Sequence, residues 1–357
     1  MALAAGVDVR GDSYATESGA VVRWRGFDEG RNLWDELLDI SQTATLYHRN
    51  SWIELLRAAY GLSLWLATLH QGSSVVAGCV FARGPLSRRF TSLPFSDSCT
   101  PLAREPEAAH RLLSALIEEP PKRRAYEVRG IGGVAGWETV ECFANWQLAL
   151  DRPLARIERA LAANFRRNLR SALHQSITIE RGSSINLLKR FYAMQLQSRR
   201  RLGLPPQPWR FFNLVRETFA AGGNFEVWAA RENGQDVASA VFLRDGEVIH
   251  YKWGARQPNY RSHANHLMFW NAIEEFASRA RMLDLGRADV RNQGLMRFKK
   301  ELGANAAGLP SSFYPHAPAR VSSEVLTGVP ALLAKIWTRM PLLATRMAGR
   351  LMYRFLG

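Results

Sequence analysis

The side chains best suited to chemistry lie between Val248 and Gly303, where the chain reads VIHYKWGARQPNYRSHANHLMFWNAIEEFASRARMLDLGRADVRNQGLMRFKKELG. The loop of Arg261, Ser262, His263, Ala264, Asn265 and His266 runs into an apolar-faced segment. Unbonded N–H groups and the positive end of the helix dipole make such a helix start a place for an anion, and the loop's polar side chains suit phosphate. His263 and His266 could add to that site, although an HxxH spacing alone is a weak metal signal. Tyr251 either presents its hydroxyl to a ligand or fills the core. Asp284 and Arg287 fall on one short segment, where they pair with each other, cap the next turn or act on a ligand. Lys299 in the FKK run is either a working cation or a surface lysine on a basic helix. Asp97, flanked by Ser96 and Ser98, has the composition of a turn. No Gly-x-Ser-x-Gly occurs and no cysteine has an obvious base beside it, so a covalent enzyme intermediate is disfavoured.

The elements that must position these groups follow from periodicity. Ile249, Tyr251 and Trp253 alternate with His250 and Lys252, as in a half-buried strand ending at Gly254. From Ala264 to Arg281 apolar residues recur at helical spacing. Leu283 and Leu285 flank Asp284 in a short strand closed by Gly286, and a basic helix follows. Strand, helix and returning strand leave the helix N-terminus beside the sheet.

Composition narrows the class. The chain has 357 residues, enough for two domains each with its own core, and an apolar fraction of 47% with 11 Trp and 17 Phe excludes a disordered chain. A formal net charge of +15 calls for an anionic partner: nucleic acid, an anionic bilayer or a phosphate-bearing substrate. Cys79, Cys99 and Cys142 are too few and too scattered for a disulfide framework or a zinc site. No basic segment leads into an apolar core at the N-terminus, and no run of about 18 apolar residues occurs. A cytoplasmic protein is expected.

One pattern occurs twice. Trp52, Leu55, Leu56, Arg57 and Tyr60 match Phe211, Leu214, Val215, Arg216 and Phe219 in type and spacing. The hairpins that follow also match, with Gly72, Val76, Ala77, Val80 and Phe81 answering Gly234, Val237, Ala238, Val241 and Phe242. The helix with Leu113, Ala115 and Leu116 then precedes Glu127-Val128 as Trp270, Ala272 and Ile273 precede Asp284-Leu285. Duplication of an α/β module is the economical explanation. The expected division is a flexible lead-in over 1–20, a first module over 21–152, a basic connecting helix over 153–176, a second module over 177–318, and amphipathic basic helices over 319–357. The connecting helix carries Arg156, Arg159, Arg166, Arg167 and Arg170 beside a stripe of Leu154, Ile157, Leu161, Phe165 and Leu169. It reads either as a solvated connector or as an anion-facing wall. Residues 325–356 read as two apolar helical segments broken at Pro341 and free of acids, with Lys335, Arg339, Arg346, Arg350 and Arg354 beside Leu343, Met347, Leu351 and Phe355. They form either a helix pair docked on the protein or an interfacial pair on an anionic membrane surface.

The run with YKWGA, LMFWNAIEEFASR, LDLGRA and GLMRFKKELG resembles the second module of the FemAB-like and CelD/BcsL-type acyltransferases of the GNAT superfamily. SLPFSDSCTPL (Ser92 to Leu102) is similar to that family's first-module loop, and SRRRLGLPPQP (Ser198 to Pro208) to its inter-module loop; the resemblance spans Val22 to Tyr314. It implies an α/β fold of two tandem GNAT-like modules, each a mixed, splayed sheet flanked by helices. It also implies an N-acyltransferase that takes an acyl group from acyl-CoA, or an aminoacyl group from aminoacyl-tRNA, to a small-molecule or lipid-linked amine on a cell-envelope or exopolysaccharide precursor. No tightly bound cofactor and no metal are expected. A peripheral position at the inner membrane and tRNA as a partner go with this reading, and a non-catalytic assembly factor binding an anionic lipid-linked or nucleic-acid partner is the rival class. The resemblance assigns Lys299 to the oxyanion or a leaving phosphate and Asp97 to the acceptor amine, and Tyr251 is the further catalytic candidate. Arg261, Ser262, His263, Ala264, Asn265 and His266 are the candidates for holding the donor, and Arg201, Asp284, Arg287, Asn292 and Lys300 for holding substrate. The loop departs from the glycine-rich pyrophosphate loop of acetyl-CoA enzymes, since only Ala264 is small.

Overall fold

The structure is a computed structural model that describes residues 13–15, 21–84, 87, 89–118, 124–257, 260, 262–319, 321 and 338–353. The chain forms two compact units, unit 1 with residues 1–141, 310–319 and 357, and unit 2 with residues 142–309 and 320–356.

Unit 1 contains β1 (Ser13–Ala15), β2 (Val21–Gly26), α1 (Arg31–Ile40), α2 (Asn50–Tyr60), β3 (Ser63–Gln71), β4 (Ser74–Arg83), β5 (Arg89–Thr91), β6 (Leu102–Ala103), α3 (Pro106–Leu116), β7 (Ala125–Arg129), β8 (Glu138–Val140) and β16 (Ser311–Tyr314). Its sheet runs β1-β2-β3-β4-β5-β7-β16-β8, with β6 beside β4. All its pairs are antiparallel except β5 with β7, which holds Arg89, Phe90 and Thr91 against Ala125, Tyr126 and Glu127. Alternation puts Val22 and Trp24 on the inner face, where Trp24 lies 5.5 Å from both Phe81 and Phe90 and packs with Leu112 and Leu116 of α3.

Unit 2 contains β9 (Phe143–Ala149), α4 (Leu154–Ala160), α5 (Ala163–Leu173), β10 (Ile177–Gly182), α6 (Ile185–Arg201), α7 (Trp209–Phe219), β11 (Phe225–Glu232), β12 (Gln235–Asp245), β13 (Val248–Arg256), α8 (Ala264–Phe276), β14 (Met282–Asp289), α9 (Gln293–Glu301), β15 (Asn305–Gly308) and α10 (Leu342–Met352). The sheet order is β10-β11-β12-β13-β14-β9-β15, and among the described residues β13 with β14 is its one parallel pair. Element order repeats between the units: two helices, an antiparallel hairpin, a strand, a helix, and a strand returning parallel. α8 is buried on most of its circumference, through Leu267, Met268, Phe269, Trp270, Ile273 and Phe276, because it is enclosed between the sheet and α5.

The stretch expected as one connecting helix is two. Leu161 and Ala162 turn extended, Leu161 is buried at 2%, and the Ala162 N–H donates to Glu301 O at 3.0 Å instead of continuing the helix. Its apolar stripe packs within the unit 2 core through Ile157, Leu161, Phe165 and Leu169. Two other spans differ from the spacing. The helix after Ala264 stops at Phe276, and the strand expected at Leu283–Leu285 runs on to Asp289 through a bulge at Gly286. Of the lead-in, residues 13–15 pair with β2, and 1–12 and 16–20 lie outside the described residues, as do 320, 322–337 and 354–357 of the expected amphipathic pair.

Candidate functional site

In unit 2 the parallel strands part. β13 and β14 are paired only from Val248–His250 to Met282–Asp284; beyond this, β13 stays with β12 and β14 continues with β9. At the base of this fork His250 and Asp284 are direct partners across the ladder, Nδ1 to Oδ2 3.3 Å, and both are buried. Period-two alternation puts them on the face opposite Ile249, Leu283 and Leu285, which fill the core with α8. Asp284 Oδ1 also accepts the Gly286 N–H at 2.8 Å, closing a short loop over the bulge, and Gly286 takes the left-handed φ of 71° that the bulge requires.

Lys299 reaches the same bulge from α9. It is 2% exposed, and its Nζ donates to Gly286 O at 2.8 Å and Arg287 O at 3.2 Å. It is therefore no surface lysine. Its amphipathic helix, capped by Asn292 through the Leu295 N–H at 3.1 Å, turns Lys299 inward with Leu295, Met296 and Phe298 while Arg297 and Lys300 stay exposed. Three residues singled out from sequence, Asp284, Arg287 and Lys299, thus meet at one bulge. Arg287 leaves it with its guanidinium 4.7 Å from the Phe143 ring centroid. In the sequence His250 is only the polar partner in an alternating strand; its pairing with Asp284 depends on a parallel register that no local pattern reveals.

Tyr251 lies one residue along, half-buried, with its ring 5.0 Å from Phe269 and 5.7 Å from Phe242. Burial pushes its hydroxyl up to about 12, so it is neutral at physiological pH and able to donate a hydrogen bond. Space for that hydroxyl comes from Gly254, where a Cβ would stand 2.0 Å from the Tyr251 oxygen.

At the start of α8, Ser262 Oγ accepts the Ala264 N–H at 3.3 Å, Ala264 is buried, and His263 stands 5.5 Å from His266. His266 packs on Phe165 at 4.7 Å and its Nε2 is 3.2 Å from Asn168 Nδ2. Burial and the neighbouring His263 hold its pKa down to about 4, so at neutral pH it contributes an aromatic, uncharged ring. Asn265 is half-buried, and Arg261 lies outside the described residues. No group of His, Cys, Asp and Glu among the described residues could hold a metal ion. The helices α4, α5 and α9 expose cations. α5 exposes Arg167 and Arg170, α4 exposes Arg156 and Arg159, and α9 exposes Arg297 and Lys300. α5 and α9 touch through Phe165 and Phe298, 6.3 Å apart, and through Asn164 Nδ2 to Glu301 Oε1 at 3.0 Å. Arg166 instead caps α4, donating to Leu161 O at 2.6 Å.

Unit 1 has its own fork, where β5 and β7 part after Thr91 and Glu127, and there it carries Asp97. The loop Ser92–Ser98 is fastened by Trp52 Nε1 to Ser96 Oγ at 2.9 Å, Arg129 N–H to Ser92 Oγ at 3.0 Å and Arg129 Nη1 to Ser96 O at 3.3 Å. Leu93 and Phe95 take left-handed φ values of 49° and 66°, which this packing must over-determine. The Tyr47 hydroxyl donates to Asp97 Oδ2 at 2.5 Å, so Asp97 is a held carboxylate and not a free turn former. Arg201, assigned to substrate, is exposed at the end of α6.

The arrangement of unit 2 can be compared with known proteins. Residues 159–300 match the family model of the acetyltransferase (GNAT) domain. The chain is two GNAT-like modules in tandem. Similar solved structures include FemX (14% identity, 78% of this chain and 95% of that one, TM-score 0.58). A tandem GNAT protein from the clavulanic acid biosynthesis pathway is also similar (11%, 83% and 100%, TM-score 0.55), as is the C-terminal domain of a putative lysylphosphatidylglycerol synthetase from Agrobacterium fabrum (12%, 81% and 93%, TM-score 0.54). At these identities the likeness is one of fold. No curated protein matches the sequence. In this GNAT-like unit 2, the family match runs from α4 through the fork to Lys300 of α9, taking in the cationic helices and the bulge.

Proposed function

We propose that this tandem GNAT-like protein is an N-acyltransferase of the FemAB-like type, transferring an acyl group from acyl-CoA to an amine on a cell-envelope or exopolysaccharide precursor. The observation that carries the reading is the β13–β14 fork inside the segment that matches the acetyltransferase domain, with His250 and Asp284 paired at its base and Lys299 fastened to the bulge of β14. In the reaction the acceptor nitrogen attacks the donor carbonyl carbon, a C–N bond forms, and the carbon–sulfur bond of the thioester breaks. The nitrogen must give up a proton and the departing thiolate must gain one. The proton the nitrogen loses is the one the thiolate gains, and the neutral Tyr251 hydroxyl, which burial keeps from ionising, can hydrogen-bond the departing sulfur; positioning supplies much of the remaining acceleration. Lys299 acts as a positioning residue, since its Nζ holds main-chain carbonyls of β14.

Aminoacyl-tRNA is the second donor reading, favoured by the exposed arginines of α4 and α5 with Arg297 and Lys300 of α9, more cations than the phosphates of one coenzyme need. Thermal shift with each donor, followed by transfer to an amine, tests both. The expected result is stabilisation by acyl-CoA, growing with the logarithm of its concentration, and loss of transfer in Tyr251→Phe without loss of donor binding. Stabilisation by aminoacyl-tRNA alone moves the assignment to the second donor. Silence with both donors overturns the acyltransferase reading and leaves a binding module.

A further inference from the structure

We propose that unit 2 carries a docking surface for an anionic lipid bilayer, formed by the outward face of α10 and the end of α6. α10 is seated on unit 2 by Thr345, Gly349 and Tyr353, at intervals of four residues and buried. The Tyr353 hydroxyl accepts from Arg199 Nη2 at 3.3 Å and donates to Pro205 O at 3.4 Å. A Cβ on Gly349 would stand 2.3 Å from Pro206 O, so the helix backbone itself rests on the Pro205–Pro206 segment. Met347, about 160–200° around the helix from Gly349 and Thr345, is 64% exposed, the most exposed large apolar side chain among the described residues.

A helix that needed only to pack on its own protein would turn its long apolar side chains inward. This one turns Met347 outward and flanks it with exposed Arg346 and Arg350, with Arg339 exposed just before the helix. Where α6 ends, Arg200 Nη1 donates to Met340 O at 3.4 Å, and Leu202 is 58% exposed beside exposed Arg201. From Val325 onward the sequence contains no acid to neutralise the arginines. Arginines alone would serve a nucleic acid, but they give no reason to expose Met347 and Leu202. A bilayer uses both, the apolar side chains at the acyl boundary and the guanidiniums among anionic headgroups. No helix among the described residues is long and apolar enough to cross a membrane, so the contact is with the surface. The inference is independent of which donor or acceptor the protein uses.

The test is co-sedimentation of the full chain with vesicles of phosphatidylcholine alone and of phosphatidylcholine mixed with phosphatidylglycerol. Binding to the mixed vesicles only is expected. Each arginine near an anionic surface strengthens partitioning about fivefold, so Arg346→Gln with Arg350→Gln should weaken it about 25-fold. The double lysine variant should retain binding, and Met347→Ser should weaken it several-fold with an unchanged melting temperature. The proposal is overturned if the chain ignores phosphatidylglycerol, if the glutamine pair binds as well as the parent, or if that pair loses RNA binding while vesicle binding is untouched. Because the readout is binding, its failure leaves the acyltransferase reading standing.

Discussion

Replacing Lys299 by methionine isolates what the buried ammonium does, because methionine keeps most of the stem's packing and removes only the charge and its hydrogen bonds. The 2.8 Å bond to Gly286 O is a strong charge-assisted one and the 3.2 Å bond to Arg287 O a weaker one, together about 3–4 kcal/mol. Relief of the ammonium's desolvation offsets roughly half of that. The carbonyls stay buried without their donor, so the balance remains unfavourable, at about 2 kcal/mol. For a unit of this size that is roughly a 4–8 °C fall in melting temperature. Urea denaturation should show the loss as a lower midpoint with an unchanged slope. Amide exchange should show it locally, as faster exchange at Gly286 and Arg287 and no change in unit 1. If the acyltransferase reading holds, kcat should fall more than donor binding, since the residue acts through the β14 backbone. A stability change within about 0.5 kcal/mol, the range of an ordinary surface substitution, together with unaltered β14 exchange, would refute the reasoning.

Two further outcomes test the same site. Gly254→Ala should destabilise by about 1–3 kcal/mol through the clash with the Tyr251 hydroxyl, and most of that should return in Gly254→Ala with Tyr251→Phe; an additive double-mutant cycle would contradict the contact. His266, held down to about 4 against about 6.5 when unfolded, is neutral in the folded state over a range where the unfolded chain takes up a proton. Its contribution is therefore complete above about pH 6.5 and is lost as pH falls from there towards 4, by roughly 2 kcal/mol once its partial exposure is allowed for. His266→Gln should flatten that limb of the stability profile, measured by urea denaturation across the range, and an unchanged limb would mean another group is responsible.

Much of the fold was legible because the module is written twice. The match of Trp52 to Tyr60 with Phe211 to Phe219, and of the hairpins that follow, corresponds to α2 with α7 and to β3–β4 with β11–β12. Such patterns are local, with helical and strand periods running over about ten residues. Legibility failed where a distant partner decides the local structure. The break between α4 and α5 is set by Glu301 O, which draws the Ala162 N–H out of the helix from 139 positions further along, and no breaker residue marks it. The extension of β14 past Gly286 depends on β9, more than a hundred residues earlier, which offers a second edge once β13 has turned away.

The site divides in the same way. Asp284, Arg287 and Lys299 could be singled out because they crowd into sixteen residues of one charged stretch, yet their types left open whether they faced solvent. What decides it is the twist of α9: Lys299 falls on the side of Leu295, Met296 and Phe298, whereas Arg297 and Lys300, its neighbours in sequence and equals in charge, fall outside. A single turn of helix thus separates a buried positioning ammonium from two solvent-facing cations. The prediction that follows is a contrast within one helix. Lys300→Met should change unit 2 stability by less than about 0.5 kcal/mol and weaken only the binding of a polyanionic donor, steeply dependent on salt. Lys299→Met should do the reverse, lowering stability and turnover with little change in the salt dependence of donor binding. Equal effects of the two substitutions in urea denaturation would mean that burial does not separate their roles.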